Sequence, residues 1–132
     1  MKVNELRVGN YIELDGKVES IWEISLDYYD EGFPYISAGD NHIVEFRQCR
    51  HKPILLTEEW LEKFGFEKRD LTNYNRWVYD DFEIEDQGKY FAKVIWSESC
   101  PHTTHFIGHH QYVHQLQNLY FVLTGEELTI ES

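Results

Sequence analysis

The sequence lacks the features that mark a secreted or membrane-spanning protein. Its 132 residues contain two cysteines, too few for a disulfide framework. The N-terminal segment has no apolar run of the signal-peptide type. No window approaches the roughly 18 consecutive apolar residues that a membrane span requires. We therefore expect a cytoplasmic protein whose thiols are reduced.

Basic residues are scarce as well. Twelve lysines and arginines stand against 24 acidic residues, which gives a net charge of −12. A negative field of this size repels a phosphate backbone, so the charge disfavours direct binding to nucleic acid. An acidic chain can instead meet a basic partner, although negative charge also serves solubility alone.

Nucleotide-binding motifs are missing too, because the glycines occur singly and form neither G-x-G-x-x-G nor a Walker loop. Aromatic residues, by contrast, reach 16% of the chain. Trp60 and Trp96 fit core positions by their periodicity. For Trp22 and Trp77 the sequence leaves two alternatives: a place in the core, or a place on a binding face such as a sugar-stacking platform.

The first third of the chain reads as short strands. Tyr11–Leu14 leads into Asp15-Gly16, a strong two-residue hairpin signal. The next strand changes phase between Val18 and Ile21, which indicates a bulge there. Residues 35–37 and 42–46 complete the set, the last reading as a strand buried on both faces. Such closely spaced strands predict a small antiparallel barrel over residues 1–48.

The rest of the chain, residues 49–132, reads as an α+β lobe with helices near 57–65 and 111–124. Thr57 is a good N-cap and Gly65 a natural stop for the first helix. The second helix ends at Gly125 and carries one apolar stripe, formed by Leu116, Leu119, Tyr120 and Leu123. Strands with turns at Asp80-Asp81 and Gly88 lie between the helices. A short edge strand at "EELTIE" follows the second helix.

The predicted fold class is therefore α+β with antiparallel strands dominant. Three blocks, "NELRVGNYIELDGK", "ILLTEEWLEKFGF" and "YVHQLQNLYFVLTGEELT", resemble a family of small uncharacterised bacterial and phage-associated proteins. That family has no assigned activity, so the resemblance implies a small soluble protein and transfers no catalytic residue. The phage association favours a mobile-element accessory role. The pattern of apolar residues and hairpin turn from Gly9 to Gly16 also resembles the opening of SH3-like and KOW-like barrels. Such barrels often bind nucleic acid or ribosomal and polymerase partners.

The segment "CPHTTHFIGHHQYVH", residues 100–114, holds five of the seven histidines. His110 and His114 are four residues apart at an expected helix start, which places both rings on one face. This is the spacing of the zinc-protease motif H-E-x-x-H. Gln111 replaces the general base, so the chemistry of that motif fails. His102, His105 and His109 are expected to lie in an exposed loop and strand, with their rings at the surface.

Two short pairs, Cys49-Arg50-His51 and Cys100-Pro101-His102, offer sulfur and imidazole two residues apart. On strands both members of a pair point to one face, and together they have the composition of a Cys₂His₂ zinc site. The knuckle spacing of such sites is absent. Either cysteine could also be a nucleophile beside its histidine, but no signature surrounds it.

The sequence leaves the catalytic residues unknown and indicates no cofactor and no bound metal. We expect a non-enzymatic protein-binding or accessory module, with an exposed apolar patch near Trp22 or Tyr28-Tyr29. The alternative is a metal-binding protein or metal-dependent hydrolase that uses segment 100–114. It requires Cys100, His102, His110 and His114, or a subset of them, to converge in one pocket.

Overall fold

The computed structural model describes residues 1–26, 33–70, 75–96 and 104–130. The chain divides into two compact units. The first unit comprises Met1–Leu55 and Tyr112–Glu127, and the second comprises Leu56–Gln111 and Leu128–Ser132. The architecture is α+β with antiparallel strands dominant, as the sequence predicts.

The first unit is a curled, five-stranded antiparallel sheet with one α-helix and two short 3-10 helices, Val3–Glu5 and Phe46–Gln48. Its strands are β1 (Tyr11–Leu14), β2 (Lys17–Ser25), β3 (Tyr35–Ala38), β4 (Asn41–Glu45) and β5 (His51–Lys52). They lie in the order β4-β3-β2-β1-β5, so β4 and β5 are the edges. Apolar side chains of the sheet, together with Leu6 ahead of β1, form the core of this unit: Leu6, Ile12, Leu14, Ile21, Ile36, Ala38 and Val44.

The hairpin signal at Asp15-Gly16 is confirmed, since Leu14 pairs with Lys17 across the two-residue turn. Both turn residues have positive φ, at 50° and 84°, as a type I′ turn requires. The expected bulge is present but displaced: the register shift between β2 and β3 falls between Ile21 and Glu23.

The prediction that residues 42–46 form a strand buried on both faces is wrong. In β4 only Val44 is buried, while His42 and Ile43 are exposed. The reason is topological, because β4 is an edge strand and its outward side chains have no layer above them.

The second unit begins with helix α1 (Glu58–Lys63), which the sequence predicts over 57–65. The Thr57 side chain accepts a hydrogen bond from the Trp60 backbone N–H at 3.4 Å, and Gly65 has φ +94° just past the helix end. The apolar side chains of Trp60, Leu61 and Phe64 are buried as their spacing predicts.

Five further strands form an antiparallel meander in the second unit. They are β6 (Glu67–Asp70), β7 (Asn75–Tyr79), β8 (Phe82–Asp86), β9 (Phe91–Trp96) and β10 (Thr104–His110), and they pair in the order β10-β9-β8-β7-β6. The predicted turn at Asp80-Asp81 is confirmed by the pairing of Tyr79 with Phe82. Residues 126–130 form no strand, so the expected edge strand at "EELTIE" is wrong over the described part.

Helix α2 (Val113–Thr124) closes the first unit and ends at Gly125, whose φ is +77°. Its buried stripe is rotated from the predicted one. Gln117, which is not part of the predicted stripe, is fully buried, whereas Leu123 is exposed. The shift follows from polar bonding: the Gln117 side chain accepts from Tyr11 N–H at 2.9 Å and donates to the Gly9 carbonyl at 3.1 Å.

These bonds tie α2 to the N-terminal strands, whereas the sequence placed the helix in a lobe spanning residues 49–132. Arg7 and Asn10 extend the polar contact. The guanidinium of Arg7 donates to Asn118 Oδ1 at 2.8 Å, and the amide of Asn10 donates to the same oxygen at 2.9 Å. Among the described residues, no helix is long and apolar enough to cross a membrane.

Candidate functional site

Trp22 is the most exposed tryptophan whose side chain the structure describes. It lies in β2 at the register shift between Ile21 and Glu23, and 45% of its surface is accessible. A bulge re-aims the side chain that it carries, and bulges recur near binding sites. Trp60 and Trp77 are buried instead, so Trp77 is not part of a sugar-stacking platform.

The indole of Trp22 is held in one orientation. Its Nε1–H donates to the carbonyl of Gly39 at 3.0 Å. Its ring meets the ring of His42 nearly at right angles, with the centroids 4.9 Å apart. Edge-to-face contact is a preferred arrangement of aromatic rings. The ring is thus fixed before any ligand arrives.

A carboxylate lies against the same turn. Gly39 has φ +56°, and a Cβ atom added there would collide with the carboxylate of Glu19. Glycine therefore permits the carboxylate to approach the backbone that holds Trp22. We call Trp22, His42, Gly39 and Glu19 the Trp22 platform.

The strand beside the platform is strained. Ile43 has φ +50°, a region that β-branched residues almost never occupy. Its backbone N–H donates to the Ser37 hydroxyl at 3.0 Å, and that hydroxyl donates to Glu23 at 2.9 Å. Strained backbone often accompanies a functional site, and here it fixes the chain next to His42.

The stretch that carries the platform is acidic throughout. Between Lys17 and Arg47 the sequence contains no lysine or arginine. It contains seven acidic residues: Glu19, Glu23, Asp27, Asp30, Glu31, Asp40 and Glu45. Sequence reasoning left Trp22 open and missed Glu19 and His42, although this one-sided charge was the available signal.

The histidine and cysteine predictions have separate outcomes. Cys100, His102, Tyr28 and Tyr29 lie outside the described residues. Cys49 is exposed, and the ring of His51 packs on Phe46 with centroids 4.0 Å apart. In the described ranges, no group of three or more His, Cys, Asp or Glu side chains could hold a metal ion.

His110 and His114 do not share a helix face, contrary to the prediction. His110 is the last residue of β10, and α2 begins three residues later at Val113. The strand extends this far because Gly108, with φ +80°, accommodates a register shift between Ile107 and His110. The i, i+4 geometry of H-E-x-x-H therefore does not occur.

His109 and His114 occupy contrasting environments. His109 is exposed and stacks on Tyr90, with ring centroids 4.1 Å apart. His114 is buried, and burial lowers the pKa of its imidazole. Neither arrangement offers a substrate both a general base and a nucleophile.

The chain matches no model of a known protein family, and searches of curated proteins and of solved structures found no significant match.

Proposed function

We propose that this chain is a non-enzymatic module that binds another protein through the Trp22 platform. The observation that carries the proposal is the exposed indole of Trp22, locked by Gly39 and His42. Tryptophan is enriched among the residues that dominate binding energy at protein interfaces. A ring that is already ordered loses less conformational freedom when a partner covers it.

A second feature supports recognition at this edge. Ile43 keeps a costly backbone conformation in an exposed strand, where a relaxed one would serve folding better. The strain is consistent with selection for the shape of the surface rather than for stability alone.

The metal-dependent alternative and the biological setting stay predictions. Cys100 and His102 are outside the described residues, and no described contact favours a hydrolase. The cytoplasmic location, the SH3-like character of the barrel and the resemblance to phage-associated proteins likewise stay predictions. Elemental analysis of the untagged protein would test for stoichiometric zinc at segment 100–114.

The proposed function is tested by comparing the wild-type protein with Trp22→Ala. Both proteins are immobilised and exposed to the same lysate of cells that express the protein. A protein retained by the wild type alone is identified, purified and titrated by calorimetry. We expect the substitution to cost about 2 kcal/mol of binding free energy, the threshold for an interface hot spot.

Val122→Ala provides the matched control, since Val122 is 74% exposed on α2 in the same unit. It should leave the affinity unchanged. A purified partner that binds wild type and Trp22→Ala equally would refute the proposal, as would the failure of any captured protein to form a complex when purified.

A further inference from the structure

Several aromatic rings in this chain have the cationic side chain of a lysine or arginine packed over one face. The guanidinium of Arg7 lies 4.1 Å from the centre of the Phe121 ring, and that of Arg47 lies 3.9 Å from the Phe33 ring. The ammonium of Lys63 lies 4.8 Å from the Trp60 ring. Among the described residues, no lysine or arginine lies over Trp22.

Lys17, the nearest basic residue along the chain, begins the same strand β2 and does not lie over the Trp22 ring. The two arginines that follow β4 are engaged elsewhere. Arg47 pairs with Glu45 at 2.9 Å in addition to covering Phe33. Arg50 pairs with the Asp15 carboxylate. The chain's own basic residues therefore leave the Trp22 ring available to a cation from a partner. Tryptophan offers the most favourable aromatic face for such a contact.

The charge around the ring is complementary to a cation. Glu19 lies against the turn that holds the indole, and Glu23 follows Trp22 directly in β2. The 29 residues from Val18 to Phe46 contribute seven of the chain's 24 acidic residues and none of its 12 basic ones. The described acids of this stretch are Glu19, Glu23, Asp40 and Glu45, and their negative charge attracts cationic groups to this part of the first unit.

We propose that the Trp22 platform receives a lysine or arginine side chain from a basic segment of a partner protein. This inference rests on the proposed function and specifies the partner's chemistry. The alkyl stem and the charged head of the incoming side chain lie over the indole. Glu19 supplies the negative charge that an aromatic ring alone lacks, and the edge-to-face contact with His42 holds the ring in place.

The inference is tested with four 12-residue peptides of equal length, rich in lysine, arginine, glutamate or glutamine. Each is titrated into the ¹⁵N-labelled full chain while the indole N–H resonance of Trp22 is followed. Trp22→Phe identifies that resonance by its loss. We expect the lysine and arginine peptides to shift it saturably, and the glutamate and glutamine peptides to leave it in place.

The contributions are separated by substitution. Trp22→Ala should weaken binding of the cationic peptides about 3- to 30-fold, the range of a partly desolvated cation–π contact. Glu19→Gln should weaken it about 2- to 5-fold, as for a solvent-exposed ion pair. Glu126→Gln removes the same charge from an exposed site beyond α2 and should change affinity less than Glu19→Gln. Binding should also weaken as salt is raised.

Three results would overturn the inference. The first is equal binding of the glutamine peptide, which would make the platform an apolar docking surface and leave the proposed function standing. The second is an equal effect of Glu19→Gln and Glu126→Gln, which would reduce recognition to net charge. The third is no shift of the Trp22 resonance with either cationic peptide. If a purified partner still bound through Trp22 in that case, the proposed function would survive alone.

Discussion

The imidazole of His114 lies with its Nε2 atom 3.9 Å from a carboxylate oxygen of Glu5. The ring is 1% exposed, and neither of its nitrogens has a hydrogen-bond partner among the described residues. Burial lowers the pKa of His114. The Glu5 carboxylate opposes this shift without cancelling it, and the positive amino group of Met1 adds to it. Burial of His114 therefore favours the neutral form of its imidazole.

We expect the free energy of unfolding to decrease as the pH falls from 6.5 towards the folded-state pKa of His114. Because the folded-state pKa of His114 is below the ordinary value of 6.5, the unfolded chain binds more protons in this window. The stabilisation is complete above pH 6.5 and is lost as the pH approaches the folded-state pKa. Each pKa unit between the unfolded and folded states corresponds to about 1.4 kcal/mol of unfolding free energy. Urea unfolding at a series of pH values measures the slope.

His114→Gln should flatten this slope. Some slope of the same sign should persist in His114→Gln, since burial also lowers the pKa of His51. An unchanged slope in His114→Gln would show that other groups govern the pH dependence.

Gln117→Ala should destabilise the protein by about 2–3 kcal/mol. The buried amide side chain satisfies Tyr11 N–H and the Gly9 carbonyl, and an unsatisfied buried polar group costs about 1–3 kcal/mol. Val122→Ala, on the exposed side of α2, should cost less than about 0.5 kcal/mol. Equal effects of the two substitutions in urea unfolding would mean that water replaces the Gln117 bonds.

The parts of the fold that could be predicted from sequence depend on neighbours in the chain. The Asp15-Gly16 turn, the Thr57 cap and the Gly65 stop each follow from the conformational preferences of two to four adjacent residues. The turn signal at Asp80-Asp81 is similarly local, and Tyr79 pairs with Phe82 across it. Physical chemistry over a short window determines these features.

The features that sequence reasoning missed depend on contacts between distant residues. Gln117 is buried against Tyr11 and Gly9, and both of these hydrogen-bond partners lie more than 100 residues away in the sequence. The Trp22 platform joins residues separated by up to 23 positions, from Glu19 to His42, and a bulge decides which way the indole points. Sequence periodicity cannot report such contacts, because it describes one element at a time.

Arg76 and Arg69 form a matched pair for a test of buried charge. The two residues lie opposite each other on β7 and β6, but only Arg76 is buried. Its guanidinium lies 3.2 Å from Glu83 and 3.5 Å from the buried carboxylate of Glu85. Arg76→Met should cost about 3 kcal/mol, because it leaves buried acid without its counter-charge.

Arg69→Met should be neutral or slightly stabilising, since it removes a like charge directly across the strand pair. Chemical unfolding of the two variants provides the comparison. A cost for Arg76→Met no larger than for Arg69→Met would show that Glu83 and Glu85 are adequately solvated without the arginine.

The strain at Ile43 gives the last prediction. A left-handed conformation costs an L-residue about 1–2 kcal/mol, and glycine avoids that cost. We therefore expect Ile43→Gly to stabilise the protein by about 0.5–1.5 kcal/mol. Val18→Gly, at an exposed position in β2 without positive φ, should instead destabilise it by about 0.5–1 kcal/mol. Thermal and urea unfolding should give opposite signs for the two variants.

The same Ile43→Gly variant should bind the lysine and arginine peptides more weakly than the wild type does, because the strand beside His42 becomes free to adopt other conformations. A gain in stability together with a loss of binding would link the strained backbone to recognition. If both glycine variants are destabilised alike, Ile43 is not strained in solution. If Ile43→Gly gains stability with unchanged affinity, the strain serves another purpose than shaping the Trp22 platform.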